Sequence, residues 1–218
     1  MPTPAELETL EARVRAVEGR TGTQVVVALV DRADLYHGLR WRAFAFGAAL
    51  AGAALVLGGA LRPGWIPHPA SATVFTAVAG VLGTGLALAL AASLAPPFAR
   101  LFLEPLRAEA EARQRAESIF LERELFGTRE RTAVLLLACR FERQAVVLAD
   151  TGFRGRIADD DWLRVGAAMG ARVRAGREVE GLLAGLDALE CTLVAKDFTG
   201  AVFAGNEIPD RPLSAGGS

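Results

Sequence analysis

The sequence predicts an α/β domain that is interrupted by a transmembrane helical hairpin. Two long apolar runs, Ala43–Leu61 and Ala70–Ala95, contain no Asp, Glu, Lys, Arg or His. One β-branched segment, Thr23–Val30, precedes these runs, and two further apolar segments, Thr132–Cys139 and Ala145–Asp150, follow them. The first segment is typical of a strand that is covered on both faces, and the short link between the other two predicts that they form a hairpin. Because an even number of spans returns the chain to the side it left, we expect the first strand to pair with the later two.

The two apolar runs have the length that membrane-spanning helices require. The first has about 19 residues and the second about 25, and a bilayer core about 30 Å thick needs about 20 helical residues. A buried helical hairpin in a soluble protein is the alternative, but soluble core helices rarely stay free of charge for this length. The spans also lack the ionisable groups that ion pathways and transporter sites use, which argues against transport.

Arginine residues concentrate on the outer flanks of the two spans. The flanking arginines are Arg32, Arg40 and Arg42 before the first span and Arg100, Arg107, Arg113 and Arg115 after the second, whereas the loop between the spans carries only Arg62. The positive-inside rule therefore predicts that both termini are cytoplasmic and that the loop lies outside. Charged residues precede any apolar run, so we expect no signal peptide and a first span that directs the chain to the cytoplasmic (inner) membrane.

These features divide the chain into four expected parts. Residues 1–40 form the first part of a cytoplasmic domain, and residues 41–103 form the transmembrane hairpin. Residues 104–198 complete the domain. The tail at 199–218 is rich in Gly, Pro and Ser and is expected to be disordered.

Small residues recur at a spacing of four inside both spans. The pairs are Ala48/Gly52, Ala54/Gly58 and Ala79/Gly83. Small residues at this spacing let helix backbones approach closely. Packing of the two spans against each other is one use of these pairs, and self-association of two copies into a homo-oligomer is the other.

Start and stop signals predict four helices in the domain. A capping box at Thr3–Glu6 opens a helix over 3–19, and Pro105 opens a helix that ends near Phe126. Three aspartates, Asp159–Asp161, precede an apolar stripe that is closed by Gly176, and a leucine-rich helix follows to Leu193.

Charge and cysteine content exclude some classes of function. The formal charge is −1 and basic residues are interleaved with acidic ones, so we expect no nucleic-acid binding. Cys139 and Cys191 lie in apolar contexts without a CxxC or Cys/His cluster, which argues against a thiolate metal site. Two buried free thiols are expected, with a disulfide as the alternative.

Several short motifs resemble the TPM domain, a family named after a thylakoid lumen protein, a photosystem II repair protein and a receptor-accessory protein. Residues 18–27 (EGRTGTQVVV) are similar to its opening E-x-x-T-G motif. Further similar segments are Ala133–Leu137, Glu142-Arg143, the turn Ala149–Phe153 and the acids Asp159–Asp161. The resemblance covers about 1–31 and 104–198 and is greatest to the bacterial branch with two spans.

This resemblance implies a small central sheet sandwiched by helices, and a phosphatase or metal-binding function. The chain departs from the pattern of phosphatase-like members in two places. Arg131-Thr132-Ala133 stands where an Asn-Gly or Asp-Gly is usual, and the hairpin replaces the segment after the first strand. Both departures remove acidic residues from the position of a cation.

Asp150, Asp159 and Asp160 are the candidate metal ligands. Ca²⁺ or Mg²⁺ requires several converging oxygen atoms, and Asp150 at a strand end could meet one of the later aspartates across the turn. The structural alternative is that Asp159 or Asp160 is an N-cap and its neighbours interact with the helix dipole. No catalytic constellation can be assembled, so the catalytic residues stay unknown.

Two functions of different classes follow. The first is a membrane-anchored interaction or assembly module that binds another protein beside the lipid bilayer. The second is a metal-dependent, phosphatase-like enzyme held at the membrane, with Ca²⁺ or Mg²⁺ as its cofactor. We favour the first because it requires no site that the sequence fails to provide.

Overall fold

The computed structural model describes residues 2–34, 36, 38–61, 70–198 and 213–215. The chain divides into two compact units. One comprises Met1–Leu35 together with Pro105–Ser218, and the other is the intervening segment Tyr36–Glu104. The unit formed by the two outer segments is called the α/β unit below, and the unit between them is called the helical unit.

A mixed sheet in the order β3-β2-β1-β4 is the centre of the α/β unit. Its strands are β1 (Gln24–Val30), β2 (Ala133–Cys139), β3 (Gln144–Ala149) and the three-residue β4 (Leu213–Ala215). The first strand pairs in parallel with β2, with Gln24 opposite Ala133 and Val30 opposite Cys139. The pairing of β2 with β3 is antiparallel. The sequence prediction that β1 pairs with the later hairpin is therefore confirmed.

Four helices of the α/β unit cover the two faces of the sheet. They are α1 (Pro4–Thr21), α5 (Pro105–Glu122), α6 (Asp159–Arg174) and α7 (Glu178–Ala195). Apolar residues of α1, α6 and α7 pack on the face that carries Val25, Val27 and Leu136. Alanines of α5 pack on the opposite face, which carries Leu135 and Leu137. All residues of β1 and β2 are buried, as expected for strands covered on both faces.

Helix α1 begins at its predicted capping box and ends at Thr21, two residues beyond the predicted end at residue 19. Thr3 caps α1 through a reciprocal capping box with Glu6, and Gly22 ends it in a left-handed conformation with φ of 69°. The predicted boundary at Phe126 is wrong, because α5 ends at Glu122 and is followed by a 3₁₀ turn at Leu125–Gly127. Glu124 adopts a left-handed conformation between them, which interrupts the helix.

The helical unit contains α2 (Gly38–Leu61), α3 (Ala70–Leu94) and the short α4 (Pro96–Ala99). By length and composition, α2 and α3 are two helices able to cross a membrane, and their apolar side chains are largely exposed. A membrane location is thus indicated, though weakly. The loop at 62–69 lies outside the described residues.

Close packing of α2 against α3 uses different glycines from those that the sequence suggested. A Cβ on Gly47 would lie 2.9 Å from the Thr84 carbonyl oxygen, and one on Gly85 would lie 2.9 Å from the Phe44 ring. In contrast, Gly52, Gly58 and Gly83 have nothing within 4 Å of such a position. The Ala48/Gly52, Ala54/Gly58 and Ala79/Gly83 pairs therefore do not form the contact between these helices, because their glycines point elsewhere on the helix surface.

Part of the predicted disordered tail is ordered. Leu213–Ala215 pairs in parallel with Ala28–Val30 of β1. The outer side of β1 offers backbone donors and acceptors to any extended segment, which explains why a short tail segment can bind there. The rest of the tail, 199–212 and 216–218, lies outside the described residues.

Candidate functional site

The E-x-x-T-G motif of residues 18–22 has a structural role at the junction of α1 and β1. Glu18 is buried, and its Oε1 accepts a hydrogen bond from the Val25 backbone N–H at 2.7 Å. The Thr21 hydroxyl lies 2.7 Å from that of Thr23, and Gly22 supplies the left-handed turn between them. The motif therefore fixes the first strand against the first helix.

Asp150, the first candidate metal ligand, lies at the end of β3 and is already neutralised by a neighbouring arginine. Its side chain is 3% exposed, and its Oδ2 lies 2.9 Å from Arg131 Nε in an ion pair without hydrogen-bond alignment. Its Oδ1 accepts a hydrogen bond from the Thr151 N–H at 2.6 Å. Arg131 itself adopts φ of 57°, an uncommon conformation for a residue with a side chain. Both oxygens of the carboxylate thus have partners within the protein.

The turn after Asp150 lies directly against the backbone of the loop that precedes β2. Gly152 N–H donates to the Arg131 carbonyl at 2.9 Å. A Cβ at Gly152 would lie 2.3 Å from the Glu130 carbonyl oxygen and 2.6 Å from that of Arg131. Only glycine permits this approach, so the Asp150-Thr151-Gly152 motif serves to join two loops at one end of the sheet.

Asp159 and Asp160, the other two candidates, are exposed in the first turn of α6. The N-cap is Ala158, so the expectation that Asp159 or Asp160 is the N-cap is wrong. The third aspartate, Asp161, takes the capping role, because its Oδ2 accepts from the Ala158 N–H at 3.2 Å. A helix can satisfy an N-terminal N–H from its third residue as well as from its cap, which explains the shift.

Asp161 also forms ion pairs that the sequence did not reveal. Lys196 Nζ lies 3.2 Å from its Oδ2, and Arg164 contacts its Oδ1. Burial by itself would raise the pKa of Asp161, but the hydrogen bonds from Lys196 and the Ala158 N–H outweigh burial and hold that pKa below its ordinary value.

Within the described residues, no group of three or more His, Cys, Asp or Glu side chains is arranged to hold a metal ion. The structure therefore does not bring Asp150, Asp159 and Asp160 together as a cluster. Three consecutive aspartates at a helix start diverge around the helix axis, and the carboxylate at the strand end is ion-paired with Arg131. A metal site at these residues stays a prediction from the sequence.

A buried carboxylate that sequence analysis missed joins α1 to α7. Glu190 has an 8% exposed side chain, and its Oε1 lies 2.7 Å from Arg20 while its Oε2 contacts Arg13. Arg13 also binds the exposed Asp187 at 2.7 Å. Burial opposes ionisation of Glu190, but the hydrogen bonds from Arg20 and Arg13 are stronger and lower its pKa. The partners lie 170 or more residues apart, so no local pattern could have indicated this network.

The turn between β2 and β3 contacts the segment that follows β1. Phe141 N–H donates to the Asp31 carbonyl at 3.0 Å, and Glu142 Oε1 accepts from the Ala33 N–H at 2.8 Å. The guanidinium of Arg32 lies 4.6 Å from the Phe141 ring centroid. Glu142, which the family resemblance singled out, is therefore a residue that orders the chain as it leaves the sheet.

The two cysteines are free, and their environments differ. Cys139 is buried in β2, and burial together with the nearby charge of Glu142 raises the pKa of its thiol. Cys191 is exposed on α7, so the expectation that both thiols are buried is wrong for this residue. The apolar neighbours of Cys191 in the sequence lie on the inner face of the helix, and the cysteine lies on the outer face.

Comparison with known proteins supports the fold alone. The NMR structure of the BA42 protein from the psychrophilic bacterium Bizionia argentinensis matches 98% of this chain and 94% of its own chain, with a TM-score of 0.57 and 13% sequence identity. No protein-family model and no curated protein matches the sequence.

Proposed function

We propose that this protein is a membrane-anchored interaction or assembly module. Its TPM-like α/β unit binds another protein at the cytoplasmic face of the cytoplasmic (inner) membrane. The observation that carries this proposal is the division of the chain into two dissimilar units. An α/β unit with a buried two-sided core is interrupted by a pair of long apolar helices whose side chains are mostly exposed. Exposed apolar helices of this kind require lipid or protein around them.

The orientation follows from charge. The arginines that flank the two helices give both termini a cytoplasmic location and place the loop at 62–69 on the other side. The α/β unit is formed from both outer segments of the chain, so this orientation holds the whole unit on the cytoplasmic side.

Internal ion pairs favour a binding module over an enzyme. The carboxylates of Asp150, Asp161 and Glu190 each contact an arginine or lysine of the same unit. Carboxylates that are used in this way hold helices and loops in place. The metal-dependent phosphatase, with Ca²⁺ or Mg²⁺ at Asp150, Asp159 and Asp160, would need to displace Arg131 from Asp150 before a cation could bind.

Thermal unfolding with and without metal separates the two functions. The full chain in detergent is heated with Ca²⁺, with Mg²⁺ and with a chelator, beside the triple variant Asp150→Asn, Asp159→Asn, Asp160→Asn. A site filled to 100 times its dissociation constant would add about 2.7 kcal/mol to the free energy of unfolding. The module predicts no metal-dependent shift in either protein. A shift that the triple variant abolishes, together with metal-dependent hydrolysis of a phosphate monoester, would contradict it.

The binding function itself is tested by photocrosslinking in the organism that produces the protein. A photoreactive residue replaces exposed side chains of the α/β unit such as Leu121, Leu163 and Val194. The module predicts a discrete protein adduct from at least one position on this unit. The same photoreactive residue at Leu57 in α2, which is 60% exposed, is the control for contacts made by the helices.

A further inference from the structure

The outer edge of β3 is a long strand edge without a partner among the residues that the structure describes. In the sheet order β3-β2-β1-β4, the outer side of β1 is joined by β4, whereas within the described part of the chain β3 pairs only with β2. An edge strand presents backbone donors and acceptors that another extended chain can bind.

The direction of each backbone group in β3 follows from one hydrogen bond. The Asp150 N–H donates to the Ala133 carbonyl on β2 at 2.9 Å. In an antiparallel pair, alternate residues point their backbone groups toward the partner strand and away from it. The N–H and C=O groups of Ala145, Val147 and Ala149 therefore point away from β2.

The exposure of β3 agrees with an open edge. Every residue of β1 and β2 is buried, but all six residues of β3 are partly exposed. Side chains of β3 nevertheless pack on both faces, with Val147 against one core cluster and Val146 against the other. An exposed face would make alternate residues exposed, so the uniform exposure arises from the outer edge that all six residues share.

The chemistry of this edge differs from that of edges that proteins protect from association. Such edges commonly carry lysine, proline or a bulge, whereas Gln144–Ala149 contains no charged residue and no proline. Arg143, which immediately precedes the strand, is exposed and adopts φ of 54°. The edge is thus uncharged along its length and apolar after Gln144, with one cation immediately before it.

The flanking helices restrict what can bind. Residues of α5 pack on one face of the sheet and residues of α6 on the other, and both helices contact β3. A second copy of this unit would bring its own pair of helices to the same place. A single extended segment requires less room between α5 and α6.

We propose that the outer edge of β3 binds an extended segment of a partner protein by strand addition. The segment is uncharged and β-branched or apolar along its centre, and it carries an acidic residue beside Arg143. Main-chain hydrogen bonds to Ala145, Val147 and Ala149 supply the affinity, and the charge pair sets the register. This inference rests on the proposed interaction function and names its binding surface and partner chemistry.

The test combines crosslinking with a proline substitution in the full membrane-anchored chain. A photoreactive residue replaces Thr151, which is exposed and lies two residues beyond the end of β3. Val147→Pro removes the central outward N–H but leaves the bonds between β3 and β2 in place. Val147→Ala is the matched control. It also removes the valine side chain, but it keeps the backbone N–H of residue 147.

We expect Val147→Pro to lower the yield of the Thr151 adduct about tenfold, because it removes the central hydrogen bond and blocks close approach of the segment. Val147→Ala should leave the yield within about twofold. Mass spectrometry should place the crosslink in a partner segment of the stated chemistry. If Val147→Pro fails to fold, Ala145→Pro, with its smaller side chain and equally outward N–H, replaces it.

Four results would overturn the inference. The first is an adduct that forms equally well with Val147→Pro. The second is an adduct between two copies of this chain, which would assign the edge to self-association. The third is a partner adduct from another surface, such as Leu163, with none from Thr151. This result would contradict the β3 edge as the binding surface but would still support the proposed interaction function. The fourth is the absence of any protein adduct from the α/β unit, which would contradict both the binding surface and the interaction function.

Discussion

The α/β unit and the helical unit use apolar residues in opposite ways. In the α/β unit, Leu135, Leu136 and Leu137 are completely buried between two helical layers. In the helical unit, Leu57 on α2 is 60% exposed and Phe75 on α3 is 75% exposed. Both sets of residues are equally apolar, so the two units differ in what surrounds their apolar side chains. The α/β unit buries its side chains in its own core, whereas the helical unit leaves them exposed, as is typical of helices that lipid covers.

A truncation in each unit should show the largest contrast. Leu136→Ala removes a fully buried side chain from the sheet and should lower the free energy of unfolding of the α/β unit by about 2–5 kcal/mol. Leu57→Ala removes an exposed side chain and should change it by less than about 0.5 kcal/mol. Chemical denaturation in detergent, followed by reactivity of the buried Cys139, measures both. Equal effects would contradict the separation of the two units.

Substitution of one glycine in each unit should also affect stability differently. Gly152→Ala places a Cβ against two backbone carbonyls and should cost about 1–3 kcal/mol, because backbone atoms cannot rotate away. Gly83→Ala in α3 meets open space and should be neutral or slightly favourable to the helix. Thermal unfolding of the two variants beside the parent protein distinguishes them. Unchanged stability of Gly152→Ala would show that the two loops are not in close contact.

Removal of the buried charge of Glu190 in the α/β unit should have an intermediate effect on the free energy of unfolding. Glu190→Gln keeps the shape of the side chain but removes the charge that faces Arg13 and Arg20, and should cost about 1–2 kcal/mol because both arginines retain some access to water. Asp187→Asn, at a carboxylate that is 64% exposed, should cost less than about 0.5 kcal/mol. An equal loss of stability in the two variants would mean that the buried position of Glu190 does not strengthen its ion pairs.

Acid should weaken the α/β unit through the same groups. The pKa values of Glu190 and Asp161 are lower in the folded protein than their ordinary values of 4.5 and 3.8. Their contribution is therefore complete above about pH 5 and is lost as the pH falls through these values and below. Unfolding measured between pH 7 and pH 3 should show this decline, and Glu190→Gln should make it shallower. A slope that Glu190→Gln leaves unchanged would contradict the lowered pKa of Glu190.

Periodicity and β-branched runs were sufficient to predict β1, β2, β3, the helices and the pairing of β1 with the later hairpin, but not β4, which lies in the tail that was expected to be disordered. These elements follow from local patterns, and the expectation of an even number of spans constrained the topology. The candidate site was harder to predict. Arg131, Lys196 and the two arginines that pair with Glu190 come from other segments of the chain. The sequence could therefore mark Asp150, Asp161 and Glu190 as acidic but could not show that they are paired with these cations.

The small-residue pattern illustrates the same limit inside the helical unit. Spacing alone drew attention to Gly52, Gly58 and Gly83, while the contact between α2 and α3 uses Gly47 and Gly85. Which face of an apolar helix meets its neighbour depends on the rotation of both helices. A helix that is apolar on every side carries little information about that rotation.

The most direct test of a membrane-anchored cytoplasmic unit is the accessibility of Cys191 to a membrane-impermeant maleimide. Cys191 is exposed on α7, whereas Cys139 is buried and its raised pKa keeps it a thiol, so Cys191 reports on the α/β unit alone. The account predicts a chain in the membrane fraction whose Cys191 reacts in opened cells and not in intact ones. A His68→Cys variant with Cys191→Ser should instead react in intact cells as well as in opened ones. Recovery of the chain in the soluble fraction, or labelling of Cys191 in intact cells, would contradict the account.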